Sequence, residues 1–187
     1  MALDQNEIIA LTEQYGGAWA LNHTRRLLRL VEIIAEGQPY DTESVWLAAH
    51  LHDWGAYPPW AQAGVEHALR SLQVAEPFLR ERGCPEATLA LVLECIATHH
   101  RGDPTRSREA ILLSDADGLD FLGAIGILRD FSKTPRELRK AYQSVLKRRE
   151  QVPPLLRLPK SKELAAGRLQ QMDAFLKAFE ENSFGFF

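Results

Sequence analysis

The chain has 187 residues, 45% of them hydrophobic, and a formal net charge of −3. That length suits one domain with a sizeable apolar core and leaves little room for a second. Aromatics at 9%, charged residues at 25% and a scatter of 12 Gly and 10 Pro exclude a disordered, collagen-like or low-complexity chain.

The predicted elements are helical nearly throughout. Residues 4–15 form a short first helix that Gly16 and Gly17 end. A second covers about 19–36, with Leu27, Leu28, Val31, Ile34 and Ala35 as its buried stripe. Asp41, with Glu43 in the first turn, starts a third helix that carries Val45, Leu47, Ala48, Ala49 and Leu51 and stops near Trp54 and Gly55. Tyr57, Pro58, Pro59 and Trp60 make a loop, read as packed in preference to a lid over a nucleobase. Helices over about 62–82 and 85–99 follow, separated by Gly83, and then a turn at 101–105. Further helices cover about 108–115, 119–131, 135–149 and 160–181. The last has Leu164, Met172, Phe175, Leu176 and Phe179 as its apolar stripe. No alternating run of Val, Ile and Thr supports a sheet, and neither a repeat nor a domain linker is evident. The expectation is an all-α fold.

Charge and targeting signals narrow the function classes. No segment approaches the roughly 18 apolar residues of a membrane span. Asp4, Glu7 and Glu13 stand where a signal peptide would carry positive charge and then an apolar run, so a cytoplasmic protein without membrane contact is expected. Cys84 and Cys95 are too few for a disulfide scaffold or a thiolate zinc site and read as core or half-buried thiols. Residues 1–128 hold 9 Lys and Arg against 18 Asp and Glu, whereas 129–168 hold 12 against 4. A mildly acidic chain with one basic segment is a poor nucleic-acid binder, and no nucleic-acid partner is expected. The segment does offer a local cradle for a phosphorylated small molecule. Arg129, Lys160 and Lys162 are the candidates for it, and Arg148 and Arg149 read as a solvated helix face.

The chemistry concentrates in the histidines. At helical spacing, His23 shares a face with Leu27, Leu30 and Ile34, and His52 with Val45, Ala48 and Ala49. His99 shares one with Leu89, Val92 and Ile96, and Asp117 with Ala110, Leu113 and Phe121. Four ionisable groups therefore point inward from four helices. Any one alone reads as a hydrogen-bonded core residue, and His50 reads as structural, on another face. His99 and His100 leave open which of the pair faces inward. Several inward His and Asp side chains at one level have an economical explanation in a metal ion, because a buried carboxylate must be neutralised or tied to a cation.

In order, the pieces are "LNHTRRLLRLVEIIAEG", "VWLAAHLHDWG", "VEHALRSLQVA", "LECIATHH" and "ILLSDADGLDFLGAIGILRDF". This series resembles the HD superfamily of metal-dependent phosphohydrolases, with the pattern H…HD…D on an all-helical core. Together with "SKELAAGRLQQMDAFLKAFEEN", it looks like the YedJ-like branch, over residues 20–182. The resemblance implies a single HD-domain helical bundle, with a core at about 18–131 and a C-terminal helical extension at about 135–182. It implies His23, His52, Asp53 and Asp117 as metal ligands, with Asp53 also the catalytic carboxylate that positions or deprotonates water. It matches His67 and His99 to positions that serve either a second metal or substrate phosphate. The implied cofactor is one or two divalent ions, among Mn, Mg, Fe, Co and Ni, which suit mixed nitrogen and oxygen ligands. The implied partner is a small phosphorylated substrate, a nucleotide above all, cleaved as a phosphomonoester or phosphoanhydride. Whether the chain is a homo-oligomer stays open. The alternatives are a non-catalytic metal- or nucleotide-binding regulatory HD domain and, more distantly, an oxygen-using di-iron enzyme.

Two departures from the family pattern matter. Where some relatives carry an acid three or four residues after the HD aspartate, this chain has Ala56 and Tyr57. Glu66 is the remaining weak candidate for proton donor, against the plainer reading of a solvated glutamate. Many relatives carry arginine after the distal aspartate, and here it is Gly118.

Overall fold

Asp4 opens the first helix by accepting the Asn6 N–H at 2.9 Å, which satisfies one of the backbone donors a helix start leaves unpaired. Asp41 does the same for the second helix through Ser44 N–H at 2.9 Å. The computed structural model describes residues 3–100 and 105–187; of the expected turn at 101–105, all but Thr105 lies outside them. Among the described residues the elements are all helical: α1 (Gln5–Ala35), α2 (Thr42–Leu51), a 3₁₀ turn (Trp54–Ala56), α3 (His67–Glu81), α4 (Glu86–Thr98), α5 (Arg108–Asp120), α6 (Gly123–Lys133), α7 (Leu138–Gln151), a second 3₁₀ turn (Pro153–Leu155) and α8 (Pro159–Ser183). The all-α expectation holds. None of the helices is long and apolar enough to cross a membrane.

The chain divides into two compact units, Met1–Ala116 and Asp117–Phe187, with the boundary inside α5. In the first, α2 packs on α1 and α4, and α3 packs on α4 and on the 3₁₀ turn. Leu27, Leu47, Leu51, Leu79, Leu89 and Ile96 fill the space between them. Trp54 anchors the turn. It is fully buried, donates its indole N–H to Thr12 Oγ1 at 3.0 Å and stacks on Trp60 with ring centroids 4.5 Å apart. The loop after Trp54 is therefore packed, with Tyr57 buried and the Trp60 carbonyl accepting the Arg70 Nε–H at 2.6 Å.

Three expected boundaries move, each for a physical reason. The break at Gly16 and Gly17 is a kink inside α1, with Gly17 at φ 70 and ψ −178, after which the helix resumes. The helix expected from residue 62 starts at His67, capped by Glu66. Gly118 does not end a helix. A Cβ there would lie 3.2 Å from Leu156 and 3.3 Å from Val152, so the glycine lets residues 152–156 lie close against α5. The break comes at Phe121 and Leu122, before Gly123 at φ 70.

In the second unit α6 packs on α7 and α8. The Phe121 ring lies under two guanidinium groups, Arg129 at 4.3 Å and Arg148 at 4.0 Å. Arg129 pairs with buried Asp120, and Arg148 with buried Asp130 at 2.8 Å. Arg149 pairs with Asp173, and Lys160 with Glu163 at 2.7 Å. Much of the basic segment is thus held in ion pairs within its own unit, and Arg129, offered above as a phosphate contact, is buried against a carboxylate.

Candidate metal centre

The ends of two helices and the middle of a third supply the candidate ligands. His23 is buried on α1, two turns inside the kink-free stretch that begins after Gly17. His52 follows the last residue of α2, and His99 the last of α4. At both helix ends the ring folds back on its own chain. His52 Nδ1 donates to the Ala49 carbonyl at 3.0 Å, and His99 Nδ1 to the Ile96 carbonyl at 2.6 Å. A carbonyl can only accept, so Nδ1 carries the proton and the lone pair of a neutral ring sits on Nε2. That is the tautomer of a metal-ligating histidine whose orientation is set by a second hydrogen bond.

Asp53 stands among these rings. Its Oδ2 is 3.5 Å from His52 Nε2 and 3.9 Å from His23 Nε2, and its Oδ1 is 3.7 Å from His67 Nε2. His52 Nε2 is buried and makes no hydrogen bond. Ligand atoms of His23, His52 and Asp53 all lie within 4.8 Å of one another, as do those of His67, His99 and His100. Metal–ligand distances of roughly 2.0–2.2 Å place neighbouring ligand atoms about 3.0–3.5 Å apart, close to the separations around Asp53. The donor set fits a divalent ion: imidazole lone pairs already selected by Nδ1 hydrogen bonds, and a carboxylate between them. Asp117 is buried on α5, in register with Ala110 and Leu113.

Some assignments change. Glu66 is exposed, as expected of a solvated glutamate, and it is also the N-cap of α3, accepting from Ala68 N–H at 3.0 Å and Leu69 N–H at 3.1 Å. Partial burial opposes its ionisation. Those two backbone bonds and the neighbouring His67 and His100 outweigh that and hold its carboxyl below the usual range. His100, left ambiguous by sequence, has its Nε2 2.8 Å from His67 Nε2. The only sequence signal for it is the His-His pair closing α4. Ser71 Oγ accepts the Gly55 N–H at 2.8 Å, which ties α3 to the 3₁₀ turn beside Asp53.

His50 is structural. It is buried, donates Nδ1–H to the Trp46 carbonyl at 2.8 Å, and lies against the Trp46 ring at 3.9 Å. Burial pushes its pKa down to about 4 from 6.5, against the opposing pull of that hydrogen bond. The unfolded chain therefore takes up this proton first as pH falls, and stability drains between about pH 6.5 and pH 4, by roughly 3 kcal/mol in all. Urea unfolding of wild type and His50→Gln at pH 7 and pH 4.5 checks this. The variant should lose markedly less stability on acidification, and an equal loss in both would contradict the assignment.

The family model described as HD domain matches residues 20–122, a span that holds His23, His52, Asp53, His67, His99 and Asp117. The chain belongs to the HD domain family. Solved structures share the fold of this HD protein over nearly its whole length. A predicted HD superfamily hydrolase from an uncultured Thermotogales bacterium is 25% identical, with a TM-score of 0.68, covering 95% of this chain and 92% of that one. An HD-superfamily hydrolase from Bacillus thuringiensis is 23% identical, with a TM-score of 0.69 and 96% of each chain covered. YpgQ of Bacillus subtilis in complex with ADP is 21% identical, with a TM-score of 0.73, covering 95% of this chain and 93% of that one. A search of curated proteins gives no matching relative.

Proposed function

We propose that this HD domain is a divalent-metal-dependent phosphohydrolase acting on a small phosphorylated substrate, with nucleotides as the substrate class. The observation that carries the reading is the group of His23, His52 and Asp53, with His52 Nε2 buried, proton-free by tautomer and without a hydrogen bond. Asp117 is proposed as the fourth ligand, from its buried, inward register on α5 and from its position in the H…HD…D resemblance of the sequence. Two imidazoles and two carboxylates neutralise a divalent ion, which leaves the centre without net charge before an anionic substrate arrives.

When bound, such an ion lowers the pKa of water and neutralises phosphoryl oxygens under attack. The chain's own residues supply the rest. Asp53 is proposed to hold a water and take its proton, a role supported by its having one oxygen toward His23 and His52 and the other toward His67. The backbone bonds of His52 and His99 fix their rings before any ligand binds, so no ordering is needed at that step. His67 and His99 are proposed to take either a second ion or substrate phosphate. The Nε2 lone pair of His99 supports the ion for that residue. The nucleotide class is supported by the ADP complex of YpgQ, a structure of the same fold.

The test is phosphate or pyrophosphate release from a panel of nucleoside mono-, di- and triphosphates and sugar phosphates, with Mn²⁺, Mg²⁺, Co²⁺, Ni²⁺ or Fe²⁺, and with EDTA. Release that needs a divalent ion supports the reading. Specific nucleotide binding without turnover under any metal would instead select the regulatory alternative.

A further inference from the structure

We propose that Trp19 is a specificity-determining residue, whose exposed indole is the platform on which the base of a metal-bound nucleotide stacks. The proposal rests on the reading of the Asp53 cluster as a nucleotide-processing centre, and it names the side chain that tells a nucleotide from other phosphorylated molecules.

The chain has four tryptophans. Three have ring partners inside the fold: Trp54 and Trp60 stack on each other at 4.5 Å, and Trp46 lies on His50 at 3.9 Å. Trp19 is 42% exposed and stands one helical turn from buried His23, with ring centroids 6.0 Å apart and planes 33° apart. His23 Nε2 in turn lies 3.9 Å from Asp53 Oδ2. The kink in α1 explains why so large an apolar ring stands open beside a polar centre. A side chain inside a straight helix leans over the turn before it. Gly17, at φ 70 and ψ −178, breaks that turn, so Trp19 falls in the first turn of the resumed helix. The kink is itself fixed. A Cβ on Gly16 would lie 2.8 Å from the Tyr57 ring, and Tyr57 is buried four residues after Asp53. Trp19 is thus positioned relative to Asp53 by two routes, through His23 along the helix and through Tyr57 across the kink. A phosphate drawn to the Asp53 centre carries its base one sugar away, and the indole beside His23 meets it there. Stacking uses a face that every base has, so Trp19 selects nucleotides over sugar phosphates without choosing strongly among bases.

The test uses α,β-methylene-ADP, which resists cleavage between its two phosphorus atoms, and methylenediphosphonate, which keeps those groups and has no base. Each is titrated by calorimetry into wild type, Trp19→Phe and Trp19→Ala at one fixed Mn²⁺ concentration. Alanine suits an exposed helical position, so the variant is expected to fold. Loss of one base–aromatic stack corresponds to about 5- to 150-fold in affinity. Trp19→Ala should lose that much for α,β-methylene-ADP and keep the wild-type affinity for methylenediphosphonate. Trp19→Phe, which retains a ring, should keep most of the affinity. Tryptophan emission of wild type should be quenched by α,β-methylene-ADP, and Trp19→Phe should lose the quench. Equal losses for the two ligands in Trp19→Ala would make Trp19 a support for His23 and overturn the proposal. An unchanged affinity for α,β-methylene-ADP in that variant, or no binding of it by wild type, would overturn it too. The ligand is read uncleaved. Failure of the wild type to release phosphate would therefore remove the hydrolase reading and leave the stacking standing. Hydrolysis of sugar phosphates by a protein whose binding ignores Trp19 would do the reverse.

Discussion

His52→Ala and Asp53→Ala are each expected to purify folded and without bound metal. The helices that carry these residues draw their stability from elsewhere: α2 is capped by Asp41 and buries Val45, Leu47, Ala48 and Leu51. Removing His52 deletes a buried Nε2 lone pair that has no hydrogen bond, together with the Nδ1–H bond to the Ala49 carbonyl, which still accepts from Thr24 Oγ1 at 3.3 Å. Removing Asp53 deletes a carboxylate that lies within 4 Å of His23, His52 and His67 together. Altering a residue behind a ligand costs about 10–100-fold in metal affinity, so losing the ligand itself should cost at least that. Elemental analysis should fall from near one ion per chain to a small fraction, with the far-ultraviolet helical signal kept. Full metal occupancy in His52→Ala/Asp53→Ala would place the ion elsewhere and sink the assignment.

Gly55→Ala should be among the most damaging single changes outside the ligands. A Cβ at residue 55 would lie 2.4 Å from the His67 carbonyl oxygen, 2.4 Å from Ser71 N and 2.7 Å from the Arg70 carbonyl carbon. These are backbone atoms of α3 and cannot swing aside as a side chain would. The helix must back away, which strains the Gly55 N–H bond to Ser71 Oγ and carries His67, its first residue, off Asp53. Overpacking of this kind costs about 3 kcal/mol, or roughly 6–12 °C in melting temperature for a chain of this size. Gly167→Ala is the control. It sits exposed inside α8 with nothing within 4 Å of a new Cβ, and should be neutral or stabilising by about 0.5–1 kcal/mol. Equal melting temperatures for the two variants would mean that the α3 contact is soft.

The helices were legible because their apolar periodicity and most of their punctuation agree. The clearest error came from glycine: Gly16 and Gly17 read as ending a helix that in fact resumes after a kink. Gly118 is a packing glycine, and the partners that show it, Val152 and Leu156, are more than thirty residues away. The inward faces of His23, His52, His99 and Asp117 were visible from spacing alone, and all four are buried. What spacing does not carry is orientation. The Nδ1 bonds of His52 and His99 depend on where α2 and α4 end, and helix ends are what sequence reading places least well. Glu66 was read on a helix face because glutamate is not a usual N-cap and Gly64 was not seen as delaying the helix. Arg129 was offered to phosphate because its charge is local in sequence, whereas its partnership with Asp120 arises only when α5 and α6 turn back on each other.

The most direct measurement is the Mn²⁺ dependence of phosphate or pyrophosphate release from nucleotides by wild type and Asp53→Ala, side by side. Wild type should show turnover that rises and saturates with Mn²⁺ and vanishes on chelation, and Asp53→Ala should show none at any Mn²⁺ concentration. Asp53→Ala turning over with the wild-type rate and metal dependence would contradict the assignment of this centre.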